Sequence, residues 1–259
     1  MSGATRLPDA WLRSSITRDG YAFVFAKTMR EHLTQFGCLS DWLTFVKSWN
    51  DLELDRFMAD GGGYRKRRHA VYAAVADGRI LREPHQPHYQ ARDYNPLNGG
   101  IARWFEPISP DVGDGPTMRT ILAFARTLFS SIAPETCAWH IEAHQFRIEA
   151  RVAEEGRPTP EGLHRDGVDF VLMLLIDRLN IADGTTAVHA LDGRRLGSFT
   201  LAEPFDAALI TDARVYHGVT PVGPLDSASA AHRDVLVVTF ATQSTLPPPS
   251  VGPPPEGQP

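Results

Sequence analysis

His164 and Asp166 stand two residues apart in "EGLHRDGVDF" (161–170), with Arg165 between them and the apolar run "DFVLMLLID" directly behind. At that spacing two side chains point to the same side of a β-strand. Both residue types can hold a metal, although the pair by itself could equally be a charged strand end. Far downstream, "ARVYHGVTPVG" presents His217 at the end of an apolar strand, beside Gly218. Two imidazoles and one carboxylate gripping one face of an ion leave its other face open, the ligand set that non-heme Fe(II) chemistry uses. "AHRDVLVVTF" then places Arg233 at the start of another apolar strand, on the face of Val235 and Val237. A lone arginine on an apolar face needs a partner. A co-substrate that chelates iron through a 2-oxo acid end would offer its far carboxylate, which a guanidinium holds with two parallel hydrogen bonds.

These residues need elements to position them. "PTMRTILAFARTLFSSIA" predicts the clearest helix, with Met118, Ile121, Leu122, Ala125, Leu128, Phe129 and Ile132 on one face. "KTMREHLTQFG", stopped at Gly37, and "SDWLTFVKSW", with Ser40 as N-cap, make the first third mainly helical. After Pro134 the pattern turns to strands: "CAWHIEAHQFRIEA", "DFVLMLLID", "TTAVHAL", "RLGSFTL", "DAALITD", "RVYHGVT" and "RDVLVVTF". Short strands separated by turn signals suggest a sandwich or barrel of jelly-roll type. The expectation is an α+β fold, with buttressing helices mainly from the N-terminal third and no linker splitting it. One domain is expected over 1–245, helical to about 135 and jelly-roll over about 136–243. The tail 246–259, "PPPSVGPPPEGQP" with its preceding residue, is too rich in proline and glycine to pack, and disorder is expected.

Composition excludes several function classes. The 259 residues carry 26 basic and 31 acidic side chains, a formal charge of −5, which gives no electrostatic reason to expect nucleic acid or an anionic membrane. No apolar run is long enough for a membrane span, and the N-terminus lacks the apolar core of a signal peptide. Two cysteines far apart, Cys38 and Cys137, make neither a disulfide scaffold nor a cysteine metal site. A cytoplasmic protein is expected.

"PEGLHRDGVDFVLMLLIDRLNI", "LITDARVYHGVTPV" and "HRDVLVVTF", with "YNPLNGGIARWFEPI" and "HQFRIEA" upstream, resemble the Fe(II)/2-oxoglutarate dioxygenases of the bacterial L-isoleucine dioxygenase type, which hydroxylate free L-amino acids. The resemblance spans roughly residues 20–243. It implies a double-stranded β-helix, cupin-like core, iron on His164, Asp166 and His217, 2-oxoglutarate on Arg233, and O2 as oxidant. It also implies a small-molecule partner, a free L-amino acid with an aliphatic C–H to hydroxylate. Related halogenases keep a small residue where Asp166 stands, so its presence favours hydroxylation. Desaturation or sulfoxidation at the same centre, a metal-dependent isomerase, and a non-enzymatic sensor barrel are the alternatives. The isomerase reading suffers because no second carboxylate is recognisable near the triad.

Other polar residues are weaker signals. Gln145 and Arg147 alternate on one strand and could both face the interior, Arg147 either in a buried salt bridge or in the substrate pocket. After the Asn98-Gly99-Gly100 turn, Arg103 and Glu106 could counter a carboxylate and an ammonium. "HIEAH" (140–144) is not a zinc motif, and packing or hydrogen bonding is the better expectation for its histidines. His85 and His88 should be exposed in a proline-rich loop. "YRKRRH" (64–69) reads as a solvated basic face, and Arg165 should point away from the metal. Oligomeric state, with a homodimer as one option, stays open.

Overall fold

The computed structural model describes residues 9–75 and 78–242, so the proline-rich tail lies outside the described residues. Thirteen strands run in chain order: β1 (Tyr21–Val24), β2 (Glu53–Leu54), β3 (Arg65–Ala74), β4 (Ile80–Arg82), β5 (Trp139–Glu149), β6 (Phe170–Leu179), β7 (Ile181–Asp183), β8 (Thr185–Ala190), β9 (Arg195–Thr200), β10 (Ala207–Thr211), β11 (Val215–Val219), β12 (Val222–Pro224) and β13 (His232–Ala241). The major sheet is antiparallel with order β1-β10-β6-β13-β5-β3-β2, and β4 pairs with β3. A three-stranded sheet, β11-β8-β9, and the pair β12-β7 complete the double-stranded β-helix.

Strand β6 shows how the layers arise. Its run has no polar residue from Phe170 to Ile176, because both faces are covered. Val171, Met173 and Leu175 point toward the small sheet and pack with Val188, Val215 and Val235. Phe170, Leu172, Leu174 and Ile176 point the other way. There they meet the helices α1 (Ala10–Asp19), α2 (Ala26–Leu33), α3 (Trp42–Lys47), the short α4 (Pro110–Gly113) and α5 (Pro116–Ile132). The buried stripe of α5, Met118, Ile121, Leu122, Ala125, Leu128 and Phe129, matches the predicted face, with Ile132 only half-buried at its end, and Phe129 stacks on Phe170 at 4.7 Å.

Three local expectations change. Helix α2 ends at Leu33, short of Gly37. Ser40 caps nothing: Asp41 occupies the N-cap of α3, and its carboxylate instead accepts the backbone N–H of Thr117 at 2.9 Å, closing the start of α5 from a distance. The first third is also not only helical. Strand β3 runs through "RKRRHAVYAA" and pairs with β5 from Arg65↔Ile148 to Ala74↔Trp139. Its basic residues are not a solvated face, since Arg65, Arg67 and His69 are buried. Among the described residues no helix is long and apolar enough to cross a membrane, and Cys38 and Cys137 are free thiols.

Candidate active site

His164, Asp166 and His217 converge at the mouth between the two sheets. His164 and His217 are joined as a backbone bridge, each N–H donating to the other's carbonyl at 2.9 Å. Such close approach needs Gly218, where a Cβ would sit 2.8 Å from the Gly162 carbonyl oxygen. The turn after His164 is held by Asp212, whose carboxylate accepts the N–H groups of Asp166 (2.8 Å), Gly167 (2.8 Å) and Val168 (3.2 Å). Gly167 takes φ +81° there, with the Tyr94 ring against its α-carbon.

The side chains then face one another. His164 Nε2 is 3.6 Å from Asp166 Oδ1, and His217 Nε2 is 3.5 Å from Asp166 Oδ2. One ligand atom from each lies within 4.8 Å of the other two. His164 Nδ1 sits 3.0 Å from the Gly162 carbonyl, to which it donates, so Nε2 is the nitrogen left to bind an ion. Burial, with His164 adding repulsion, pushes His217 down to about 4. Burial also disfavours charge on His164, yet Asp166 and then Glu161 hold it up at about 9, and the two histidines keep Asp166 well below the usual carboxylate range against its own burial. Burial and the Asp166 charge push Asp212 up to about 7. A carboxylate facing two imidazole nitrogens at these distances is a fit for a divalent iron.

A cavity of about 790 Å³ opens from this cluster between the sheets. Arg233 lines it and is 4% exposed. Among the described residues it has no carboxylate within 4 Å, and its Nε has no hydrogen-bond partner. Burial and Arg178 bring it down to about 10, so it stays a cation at neutral pH. That cation suits the far carboxylate of 2-oxoglutarate.

Of the other sequence candidates, the structure brings only Arg103 into the cavity. Asn98 is buried in a turn, accepting the Ala59 N–H at 2.8 Å. Glu106 is exposed, and its backbone, not its carboxylate, is used by β3. Gln145 and Arg147 fall on the helix side of β5: Gln145 Nε2 donates to Ser48 Oγ at 2.8 Å, and Arg147 grips Asp234 at 2.8 and 2.6 Å. The reason is the two-residue period, because their neighbours His144, Phe146 and Ile148 take the cavity face.

Other side chains that line the cavity were not recognised in the sequence. His88 is not exposed but lines the cavity, with Nδ1 2.7 Å from Glu142. Glu142 itself shares a strand face with His140 and His144, a signal "HIEAH" carried once read as a strand. Arg67 enters from β3. A second carboxylate does stand beside the triad: Glu161 Oε1 is 3.5 Å from His164 Nε2. Arg165 points away from the His164–Asp166–His217 cluster, over the rings of Tyr94 and Tyr216.

Comparison with known proteins agrees with this geometry. The family described as 2OG-Fe dioxygenase matches residues 46–239. An L-isoleucine-4-hydroxylase of Bacillus thuringiensis is 27% identical over 200 residues, covering 74% of this chain and 82% of that protein. A 3(1)-hydroxy-L-isoleucine 4-dioxygenase of Pantoea ananatis is 26% identical over 233 residues, covering 87% and 93%. The crystal structure of a bsmA homolog from Methylobium petroleophilum superposes with a TM-score of 0.82 at 35% identity, covering 90% of this chain and 93% of that one.

Proposed function

Since the chain belongs to the 2OG-Fe dioxygenase family and its enzymes use Fe(II) and 2-oxoglutarate, we propose that it hydroxylates an aliphatic C–H of a free L-amino acid. The observation that carries this reading is the shared cavity, with His164, Asp166 and His217 at one end and, in its wall, the cation of Arg233, which has no carboxylate within 4 Å among the described residues. The two curated relatives, both named for isoleucine or a hydroxylated isoleucine, supply the substrate class.

In this reading His164 Nε2, His217 Nε2 and the Asp166 carboxylate hold the iron. The bound iron and co-substrate supply the oxidising chemistry, in which 2-oxoglutarate and O2 become succinate and CO2 as one oxygen atom enters the substrate. Arg233 fixes the co-substrate by its far carboxylate, in a site dry enough to make that contact strong. Gly162 fixes the His164 ring, and Asp212 fixes the backbone that carries Asp166. Val171, Met173, Val235 and Val237 give the cavity an apolar wall, which keeps water from the reacting carbon. A single domain over 1–245 is part of this proposal.

The test has two steps. Anaerobic addition of Fe(II) and 2-oxoglutarate should give the weak visible charge-transfer band, absent in Asp166→Ala. Twenty L-amino acids are then screened for succinate release. If none raises it above the uncoupled background, the amino-acid reading is wrong. Arg233→Ala should raise the 2-oxoglutarate requirement roughly 10- to 100-fold, the value of a charged hydrogen-bond pair. An unchanged requirement would move the anchor elsewhere.

A further inference from the structure

The wall of the cavity built by β3, β5 and the 86–103 segment holds a second polar cluster that the iron and 2-oxoglutarate sites leave unused. Glu142 stands at its centre, ringed by four histidines. His88 Nδ1 is 2.7 Å and His144 Nε2 3.2 Å from Oε2. Oε1 has only longer approaches, 3.5 Å from His140 Nε2 and 3.7 Å from His69 Nε2. His69 is fully buried, and among the described residues neither of its ring nitrogens has a hydrogen-bond partner. Beside this lie two buried guanidiniums. Arg103, 2% exposed, has no carboxylate partner within 4 Å among the described residues and only a 3.5 Å contact to Gln90. Arg67 lies 3.7 Å over the Phe105 ring and 4.4 Å over Phe146, with Asp55 no closer than 3.8 Å.

We propose that this cluster is the seat of the substrate's two charges: Arg67 and Arg103 take the carboxylate, and Glu142 takes the ammonium, of an α-amino acid whose amino group is unblocked. The inference rests on the amino-acid reading above and adds the residues and the requirement for both charges.

Three observations support it. The first is spacing. His144 joins the two poles, receiving Arg67 Nη2 on Nδ1 at 2.7 Å and reaching Glu142 with Nε2. Cation and anion are thus one imidazole ring apart, a gap that an ammonium and a carboxylate on one α-carbon can span with a hydrogen bond at each end. The second is charge. Four guanidiniums (Arg65, Arg67, Arg103, Arg233) and three carboxylates (Glu142, Glu161, Asp166) line the cavity, and Asp55 neutralises Arg65 at 2.7 Å. An iron dication and a 2-oxoglutarate dianion cancel each other. The loaded cavity is then balanced: a monoanion or monocation would strand a buried charge, whereas a zwitterion adds no net charge and gives each pole a partner. Burial pushes the His88 imidazole down to about 4 and the His144 imidazole well below its usual range, so both stay neutral in that balance. The third is donor chemistry, which argues against a second metal ion here. An arginine can only donate, so Arg67 places the His144 proton on Nε2 and removes that nitrogen as a ligand.

Calorimetric titration under argon tests this on the full chain loaded with Fe(II) and 2-oxoglutarate. The tightest-binding of the twenty L-amino acids is compared with its N-acetyl derivative, its deaminated acid and its decarboxylated amine. All three should bind roughly 10- to 100-fold more weakly, as expected for one lost charged contact. Glu142→Gln should weaken the amino acid by a similar factor while leaving iron content and 2-oxoglutarate affinity unchanged. Equal binding of the N-acetyl derivative, or an unaltered Glu142→Gln, overturns the assignment while leaving the amino-acid reading intact. A second equivalent of divalent metal, lost in Glu142→Gln, overturns it in favour of a metal site. If no amino acid binds the wild-type chain, both readings fall. The analogue series uses wild-type protein, so it decides the matter even if the variant does not fold.

Discussion

Replacing Arg147 with methionine separates a structural role from a pocket role at one residue. Arg147 grips Asp234 through Nε at 2.8 Å and Nη2 at 2.6 Å, and its Nη1 donates to Asn50 at 3.0 Å. The pair's side chains are 12% and 1% exposed. Burial already raises the Asp234 carboxyl despite the arginine beside it, so its charge depends on this partner. Removing one member of a buried pair costs about 3–5 kcal/mol. His232, 3.6 Å away, retains some compensation, which favours the lower end. At about 2–4 °C per kcal/mol for a chain of this size, Tm should fall by about 6–12 °C. The deficit should shrink on acidification, because a protonated Asp234 no longer needs the guanidinium. Arg147→Met combined with Asp234→Leu should recover most of the loss, since well-packed apolar pairs replace buried ion pairs at little cost. Thermal melts at two pH values, with steady-state KM for 2-oxoglutarate and amino acid well below Tm, read out both roles. An unchanged Tm with either KM raised about tenfold would refute the structural role.

Asp212→Asn should weaken iron binding about tenfold or more: the amide turns one acceptor of the 166–168 N–H groups into a donor that opposes them. An iron titration checks it, and an unaltered affinity would mean the turn holds itself. Gly167→Ala should cost about 1–2 kcal/mol for its φ of +81° alone, with a further penalty where the new Cβ meets the Tyr94 ring, and Tm against iron content measures both. His88 has its folded pKa near 4 against about 6.5 unfolded. Below pH 6.5 the unfolded chain takes up a proton that the folded one refuses, so stability falls as pH drops from 6.5 toward 4, by up to about 1.4 kcal/mol per unit. Denaturant melts of wild type and His88→Asn across that window should show the shallower slope in the variant.

The longer strands after Pro134, the long helix and the candidate residues His164, Asp166, His217 and Arg233 were legible because each leaves a local mark: a period of two, an apolar stripe, or a polar side chain at a strand end. What escaped was set by pairing at long range. "YRKRRH" is polar in sequence, and only its place beside β5 makes Arg67 a buried cation over Phe105 and Phe146. Arg147 and His144 sit three residues apart on the same strand, and the sequence does not state which parity faces the cavity. Glu161 was hidden differently. It lies on an irregular turn, where no periodicity tells which way a side chain points, and it reaches His164 only through the turn's shape.

The position of β3 has a consequence for how the chain comes together. Tyr21 of β1 pairs with Ile210 of β10, and Arg65 of β3 pairs with Ile148 of β5. Strand β1 therefore waits for β10 before its backbone groups find partners, and β3, beyond its short local pairings with β2 and β4, waits for β5; topology with such distant pairings folds slowly. Until then the edge of β3 that β5 will take is open along four consecutive cations, Arg65 to Arg68, and charge of that density discourages premature pairing with other chains. The run that gives the cavity Arg65 and Arg67 would thus also guard the nascent chain against aggregation.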